Sequence, residues 1–153
     1  MKQYQTKYED THVKILFELE QDEDGYPTEK WESLWALPLE DGTFKIDNIP
    51  FYVPLLSCDD IVKARKHGDE YLFKAIHEHS KNSTIRMIIY DIDSVENIRK
   101  RLTELGCDVE KSGTSGFIAL NIPAMAQIEK LMGYLEEGHN LDLWDYEEAS
   151  LRF

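Results

Sequence analysis

The chain has 153 residues, a formal net charge of -13 and a pI near 4.7. Acidity on that scale sets it against nucleic acid and anionic membranes and favours fast association with basic partners at low salt. With 42% hydrophobic residues and no long apolar run, it is neither a disordered tail nor the bearer of a transmembrane helix, and it suffices for one substantial domain or two small subdomains.

The opening MKQYQTKYEDTHVK has no apolar core of a secretory signal, so the cytoplasm is the expected compartment. Residues 1–11 are polar and expected to be flexible. Val13–Leu19 predicts a strand, and the acidic loop Gln21–Gly25 leads to Tyr26-Pro27. Trp31–Leu39 predicts a second strand, broken near Pro38. Glu40-Asp41-Gly42 is hairpin chemistry before Thr43–Ile46. Pro50 and Pro54 hold Asn48–Pro54 extended. Ile61–Arg65 and Tyr71–His77 are two further strands around a turn at Lys66–Asp69. Residues 12–80 therefore form an all-β subdomain, a small antiparallel sheet or barrel.

Residues 81–153 change period. Ile85–Asp91 is a strand-length apolar run. Asp93 or Ser94 is placed to cap a helix, with Glu96 to answer Asp93, and Val95, Ile98, Leu102 and Leu105 fall on one helical face before Gly106. Cys107–Glu110 and Phe117–Ile122 are strands around the turn Gly113–Gly116. Pro123 suits the first turn of a second helix, lined by Met125, Ile128, Leu131, Met132 and Leu135 and closed by Gly138. The expected fold class is α+β, with the N-terminal sheet or barrel packed on a C-terminal ferredoxin-like β-α-β-β-α unit. Leu141–Phe153 mixes aromatics with carboxylates and fits a last strand, a short helix or a docked acidic tail.

No stretch carries a coherent catalytic set. His77 and His79 would point the same way on a strand, but a zinc site needs three or four convergent ligands, and Glu78 points away. Cys58 stands beside Asp59 and Asp60, which oppose the thiolate that nucleophilic chemistry needs; Cys107 follows Gly106 as a small apolar residue. With no export signal, the two cysteines are expected to be free thiols. Gly113–Gly116 lacks the lysine and the strand-to-helix context of a phosphate loop. Trp31, Trp35, Phe44, Phe51 and Tyr52 are core candidates. No metal or cofactor is expected.

Two acidic regions remain. Glu20, Asp22, Glu23 and Asp24 form one. Glu136, Glu137, Asp142, Asp145, Glu147 and Glu148 form the other, with Trp144 and Tyr146 interleaved. Aromatics ringed by carboxylates suit the hot spot of a contact with a basic protein. The plainer reading is a solvated loop and a tail whose aromatics pack inward.

Several blocks occur together: Phe17–Pro27 (FELEQDEDGYP), Trp31–Ala36 (WESLWA), Asp47–Phe51 (DNIPF), Ser83–Arg86 (STIR), Leu105–Cys107 (LGC) and Trp144–Glu148 (WDYEE). As a set, across about residues 13–148, the chain resembles a bacterial family catalogued only as a domain of unknown function. The resemblance implies no catalytic residues. By analogy, small acidic proteins of this character are similar to the immunity proteins (antitoxins) of contact-dependent growth inhibition, which neutralise delivered toxins, many of them basic nucleases. The expected function is thus a non-enzymatic immunity protein. It would bind a basic toxin nuclease domain through Glu20–Asp24 and Glu136–Glu148 and cover its active-site cleft, without binding nucleic acid or membrane itself. The alternative is a non-catalytic small-molecule-binding or regulatory domain.

Overall fold

A computed structural model describes residues 11–153; the expected flexible segment 1–11 lies, but for Thr11, outside the described residues. The chain divides into two compact units, the first ending at Ser80 and the second running Lys81–Phe153.

The first unit is a closed five-stranded barrel. Its strands are β1 (Val13–Glu18), β2 (Trp31–Pro38), β3 (Phe44–Ile46), β4 (Ile61–His67) and β5 (Glu70–Glu78), paired in that order. Consecutive strands are antiparallel, and a parallel pairing of Ile15 with Tyr71 and Leu16 with Leu72 closes the ring. Period-2 alternation turns Ile15, Phe17, Leu34, Ala36, Phe44, Ile46 and Val62 inward, and Phe17 stacks on Phe73 with centroids 4.7 Å apart. Trp31 and Trp35 take the opposite register. Trp31 is exposed, and Trp35 lies under the Lys14 ammonium, 4.9 Å from its ring. They are not the core residues that their hydrophobicity predicts.

The β2–β3 hairpin turns at Glu40–Gly42, with Leu39 N–H donating to Thr43 O. The Asp41 carboxylate accepts the Thr43 hydroxyl and backbone N–H, which hold its pKa below the ordinary aspartate value. A depressed folded pKa contributes stability above the unfolded value and loses it as pH falls through the folded value. Asp41→Ala is therefore expected to be less stable than wild type at pH 7 by urea titration. The gap should narrow as pH drops below the usual carboxylate range.

The second unit contains β6 (Ser83–Ile89), a 3-10 turn at Ile92–Ser94, α1 (Val95–Glu104), β7 (Asp108–Lys111), β8 (Phe117–Ile122), α2 (Ile128–Asn140) and β9 (Trp144–Ser150). The strands form one antiparallel sheet in the order β7-β8-β6-β9. Ile85, Met87, Ile89, Ile118, Leu120, Ile122 and Trp144 share one core with Val95, Ile98, Leu102 and Leu105 on the α1 side and Leu131 and Leu135 from α2.

This corrects the expected fold class. The described chain is mostly β-sheet, and its second half is not the expected five-element β-α-β-β-α unit, because a C-terminal strand joins the sheet after the second helix. After α2 the chain returns as β9, which pairs with the central β6 from Ile89–Trp144 to Thr84–Ser150. Carboxylates are depleted in strands generally, so WDYEEAS has a weak strand signature; its pairing partner supplies what its composition lacks. Local features differ too. Ser94, one of the two expected caps, stands at the N-cap of α1 but makes no side-chain capping bond; Asp91 caps the turn before it, accepting from Asp93 N–H and the Ser94 hydroxyl, and Glu96 pairs with Arg99 and Lys111 instead of completing a capping box. Pro123 does not open α2, which starts at Ile128 and leaves Met125 exposed. Gly138 does not close α2 but lies inside it, against the Trp144 ring.

Candidate functional site

The strand alternation that turns Leu34 and Ala36 inward does the same for Glu32, at a register where a barrel wants an apolar side chain. The loop after β3 resolves the conflict. Glu32 Oε2 accepts from Phe51 N–H at 2.7 Å, and Oε1 accepts from Tyr52 N–H at 3.0 Å and Val53 N–H at 2.9 Å. Three amides facing one carboxylate make a charge-assisted clamp. Asn48 adds a second tie, its Oδ1 accepting Trp35 N–H at 2.7 Å. The blocks WESLWA and DNIPF, separate in sequence, are thus hydrogen-bonded to each other.

The clamped loop walls a cavity of about 480 Å³ with Phe17, Leu19, Leu56, Phe73 and Ile76. Val53 and Leu56 are buried, while Leu55 is 66% exposed with φ of +59°. Among the described residues, Glu18, Glu20 and Tyr52 are the titratable groups of the lining. Burial, then the neighbouring Glu29 carboxylate, push the Tyr52 phenol up from its ordinary pKa. Tyr26, half exposed, meets Tyr52 edge-on with centroids 6.4 Å apart.

The acidic loop next to this cavity is an ordered turn. Asp22 Oδ1 accepts from Asp24 N–H and Tyr26 N–H, each at 2.9 Å, and Asp22 N–H donates to Tyr26 O. Gln21 Nε2 donates to Pro27 O and Glu29 O. Asp22 is therefore occupied in building the turn, while Glu20, Glu23 and Asp24 are exposed.

The second acidic region lies wholly in the second unit, and alternation along β9 splits it. Trp144, Tyr146 and Glu148 pair with Ile89, Met87 and Ile85 and so take the helix-side face; Asp145 and Glu147 pair with Ile88 and Arg86 on the other. Trp144 is 2% exposed, and its Nε1 donates to Leu135 O at 3.0 Å. It is a core residue and not a contact residue. Burial, then the Glu148 and Glu136 carboxylates, push the Tyr146 phenol up from its ordinary pKa. Asp142, with φ of +57°, makes the turn from α2 into β9. Asp145 lies 3.5 Å from His139 Nδ1, Glu147 lies 3.8 Å from Arg86, and Glu137 is exposed.

The histidine pair does not form a joint site. His79 Nδ1 lies 3.5 Å from Asp60, a fully buried carboxylate that accepts Ser57 N–H and Ser80 N–H, while His77 stays on β5. Among the described residues, the group whose donor atoms come within 4.8 Å of one another is Asp47, Cys58 and Asp59. Within that group Asp47 lies 2.8 Å from His12 Nε2. Gly113–Gly116 closes the β7–β8 hairpin, where Ser112 Oγ donates to Thr114 O and Phe117 O, and a cavity of about 270 Å³ lies beside it.

Burial pushes the Cys107 thiol up to about 12. At pH 8, a maleimide is expected to leave Cys107 unmodified in the native protein and to label it in denaturant, as read by mass spectrometry after digestion.

Sequence reasoning missed Glu32 and the Val53–Leu56 wall. The available signal was a glutamate in phase with Leu34 and Ala36.

A family model described as "Domain of unknown function (DUF4265)" matches residues 32–146. No curated protein matches the chain. A crystal structure of a hypothetical protein from Neisseria gonorrhoeae is similar to it, with a TM-score of 0.74 and 24% identity over 93% of this chain and 96% of that one. That likeness speaks to fold. No helix among the described residues is long and apolar enough to cross a membrane.

Proposed function

The chain belongs to the DUF4265 family of unknown function, and from that premise we propose that it is a non-catalytic immunity protein that holds a basic toxin domain, a nuclease, against its acidic surface. The observation that carries this reading is the ordered acidic turn, with Glu20, Glu23 and Asp24 exposed, beside an open apolar cavity in a chain of net charge -13. Acidic rims steer a basic partner, and desolvated apolar anchors hold it. Glu136, Glu137, Asp145, Tyr146, Glu147 and Glu148 are the corresponding candidates in the second unit. Asp142 contributes charge from its turn. The partner's cleft would be masked as nucleic acid masks it, by negative charge.

The test is affinity capture from the native host lysate at low salt, with the eluate identified by mass spectrometry. A stoichiometric basic nuclease domain is expected, lost as salt rises and not captured when Glu20, Glu23 and Asp24 are changed together to Lys. An empty eluate, or capture indifferent to that reversal, sinks the reading.

The cavity beside Gly113–Gly116 favours a second reading, a small-molecule-binding regulatory domain. It is lined by Ile92, Val95 and Phe117 and by the ion pair of Glu96 with Lys111 at 3.2 Å. A thermal-shift screen against cellular metabolites tests it. A flat response across the panel rejects it.

A further inference from the structure

We propose that the cavity of the first unit receives one large apolar side chain of the basic partner, on a segment whose flanking Lys or Arg residues meet Glu18 and Glu20. This rests on the reading above and specifies what the protein grips.

Three observations converge. The cavity, about 480 Å³, falls in the size range of ligand pockets, and its deep wall is apolar: Phe17, Leu19, Val53, Leu56, Phe73 and Ile76. Among the described residues no cationic side chain lines it; the charged lining groups there are Glu18 and Glu20, and the exposed Glu23 and Asp24 follow in the adjoining turn. An apolar interior with an anionic flank is complementary to an apolar side chain between cations, and it selects against a free anion or a zwitterion.

The wall is also set in advance. The Glu32 carboxylate holds the amides of Phe51, Tyr52 and Val53, and Pro50 and Pro54 restrict the backbone on either side. A preformed wall has little left to order on binding. Within it Leu55 adopts φ of +59°, a left-handed conformation that a branched side chain takes only where its surroundings impose it, and it displays its side chain to solvent. Tyr26, half exposed and edge-on to Tyr52, extends the apolar surface beyond the cavity. A lone small molecule would fill the cavity and leave that surface bare, whereas a polypeptide segment covers both.

The probes are three acetylated, amidated peptides, Lys-Lys-Trp-Lys-Lys, Lys-Lys-Ala-Lys-Lys and Glu-Glu-Trp-Glu-Glu, titrated into the 15N-labelled full chain. The basic tryptophan peptide is expected to shift the amides of Leu19, Val53, Leu55, Leu56 and Ile76. It should bind on the order of tenfold tighter than the alanine peptide, the effect of burying one large side chain. Leu55→Lys, at an exposed position that leaves the fold intact by circular dichroism, should abolish that preference.

Equal binding of the two basic peptides, or shifts confined to residues 22–24, overturns the cavity inference and leaves the acidic-surface reading standing. Binding of the Glu-flanked peptide as tight as the Lys-flanked one assigns the cavity to an uncharged apolar ligand and overturns the basic partner segment. Silence with all three peptides overturns it as well. Cavity binding together with an empty lysate capture would instead remove the immunity reading and keep the cavity as a peptide site.

Discussion

Gly138→Ala is expected to destabilise the protein by roughly 3 kcal/mol, the upper end of overpacking, while Gly133→Ala stabilises it by about 1 kcal/mol. Both glycines lie in α2, so helix propensity favours alanine equally at each. The difference is space. A Cβ on Gly133 meets nothing within 4 Å; one on Gly138 would stand 1.9 Å from Trp144 Cζ2 and 2.3 Å from Cε2 and Cη2. The indole cannot withdraw cheaply, because its Nε1 is bonded to Leu135 O and Tyr134 packs on it with centroids 5.2 Å apart. Thermal melts should show Gly138→Ala lower by roughly 6–12 °C and Gly133→Ala slightly higher, at about 2–4 °C per kcal/mol for a chain of this size. Equal melting temperatures for the two variants would contradict this packing.

Glu32→Ala is expected to cost on the order of 3 kcal/mol. Hydrogen bonds to a charged acceptor contribute about 1.5–3 kcal/mol each, and three that share one carboxylate do not add in full. The loss falls on the loop. Phe51, Tyr52 and Val53 would be left with undonated amides, and the cavity wall they support would loosen. Glu32→Gln separates the contributions. Its carbonyl can still accept from Tyr52 and Val53, but its NH2 group faces the Phe51 N–H, donor against donor. Hydrogen exchange should rank wild type, Gln and Ala in order of rising rate at the amides of Phe51–Val53. Unchanged exchange in the alanine variant would show that the prolines alone hold the segment.

The barrel strands were legible because alternation and turn chemistry coincide there. Val13–Leu19 is observed as Val13–Glu18, and Asp41-Gly42 makes its hairpin. The choice between open sheet and barrel stayed open in the sequence, since the parallel pairing of β1 with β5 that closes the barrel joins residues more than fifty positions apart. In the second half, Val95, Ile98, Leu102 and Leu105 declared their face through helical spacing, and all are buried. The second helix misled at both ends. Pro123 looked like a helix start, and Gly138 looked like a stop, yet Gly138 is a helical residue required by an indole from another strand. Acidic composition likewise located charge but not role. Asp22 and Asp142 are turn builders and Trp144 is core, while Glu20, Glu23 and Asp24 stand in solvent. Composition cannot separate these cases, because each depends on the partner that folding supplies.

Among the described residues, strand β9 is hydrogen-bonded to β6 alone and so ends the sheet. Such a margin offers its unpaired backbone groups to any extended chain and invites open-ended stacking of copies, which charged side chains deter. Asp145, Glu147 and Glu148 are exposed along that margin. They are therefore expected to guard solubility whatever they bind. Neutral replacements there would make the protein stick to itself and mimic a lost partner, whereas lysines keep the margin guarded while inverting its sign. Light scattering on the two kinds of variant, before any binding assay, separates a protein that has lost its partner from one that has begun to polymerise.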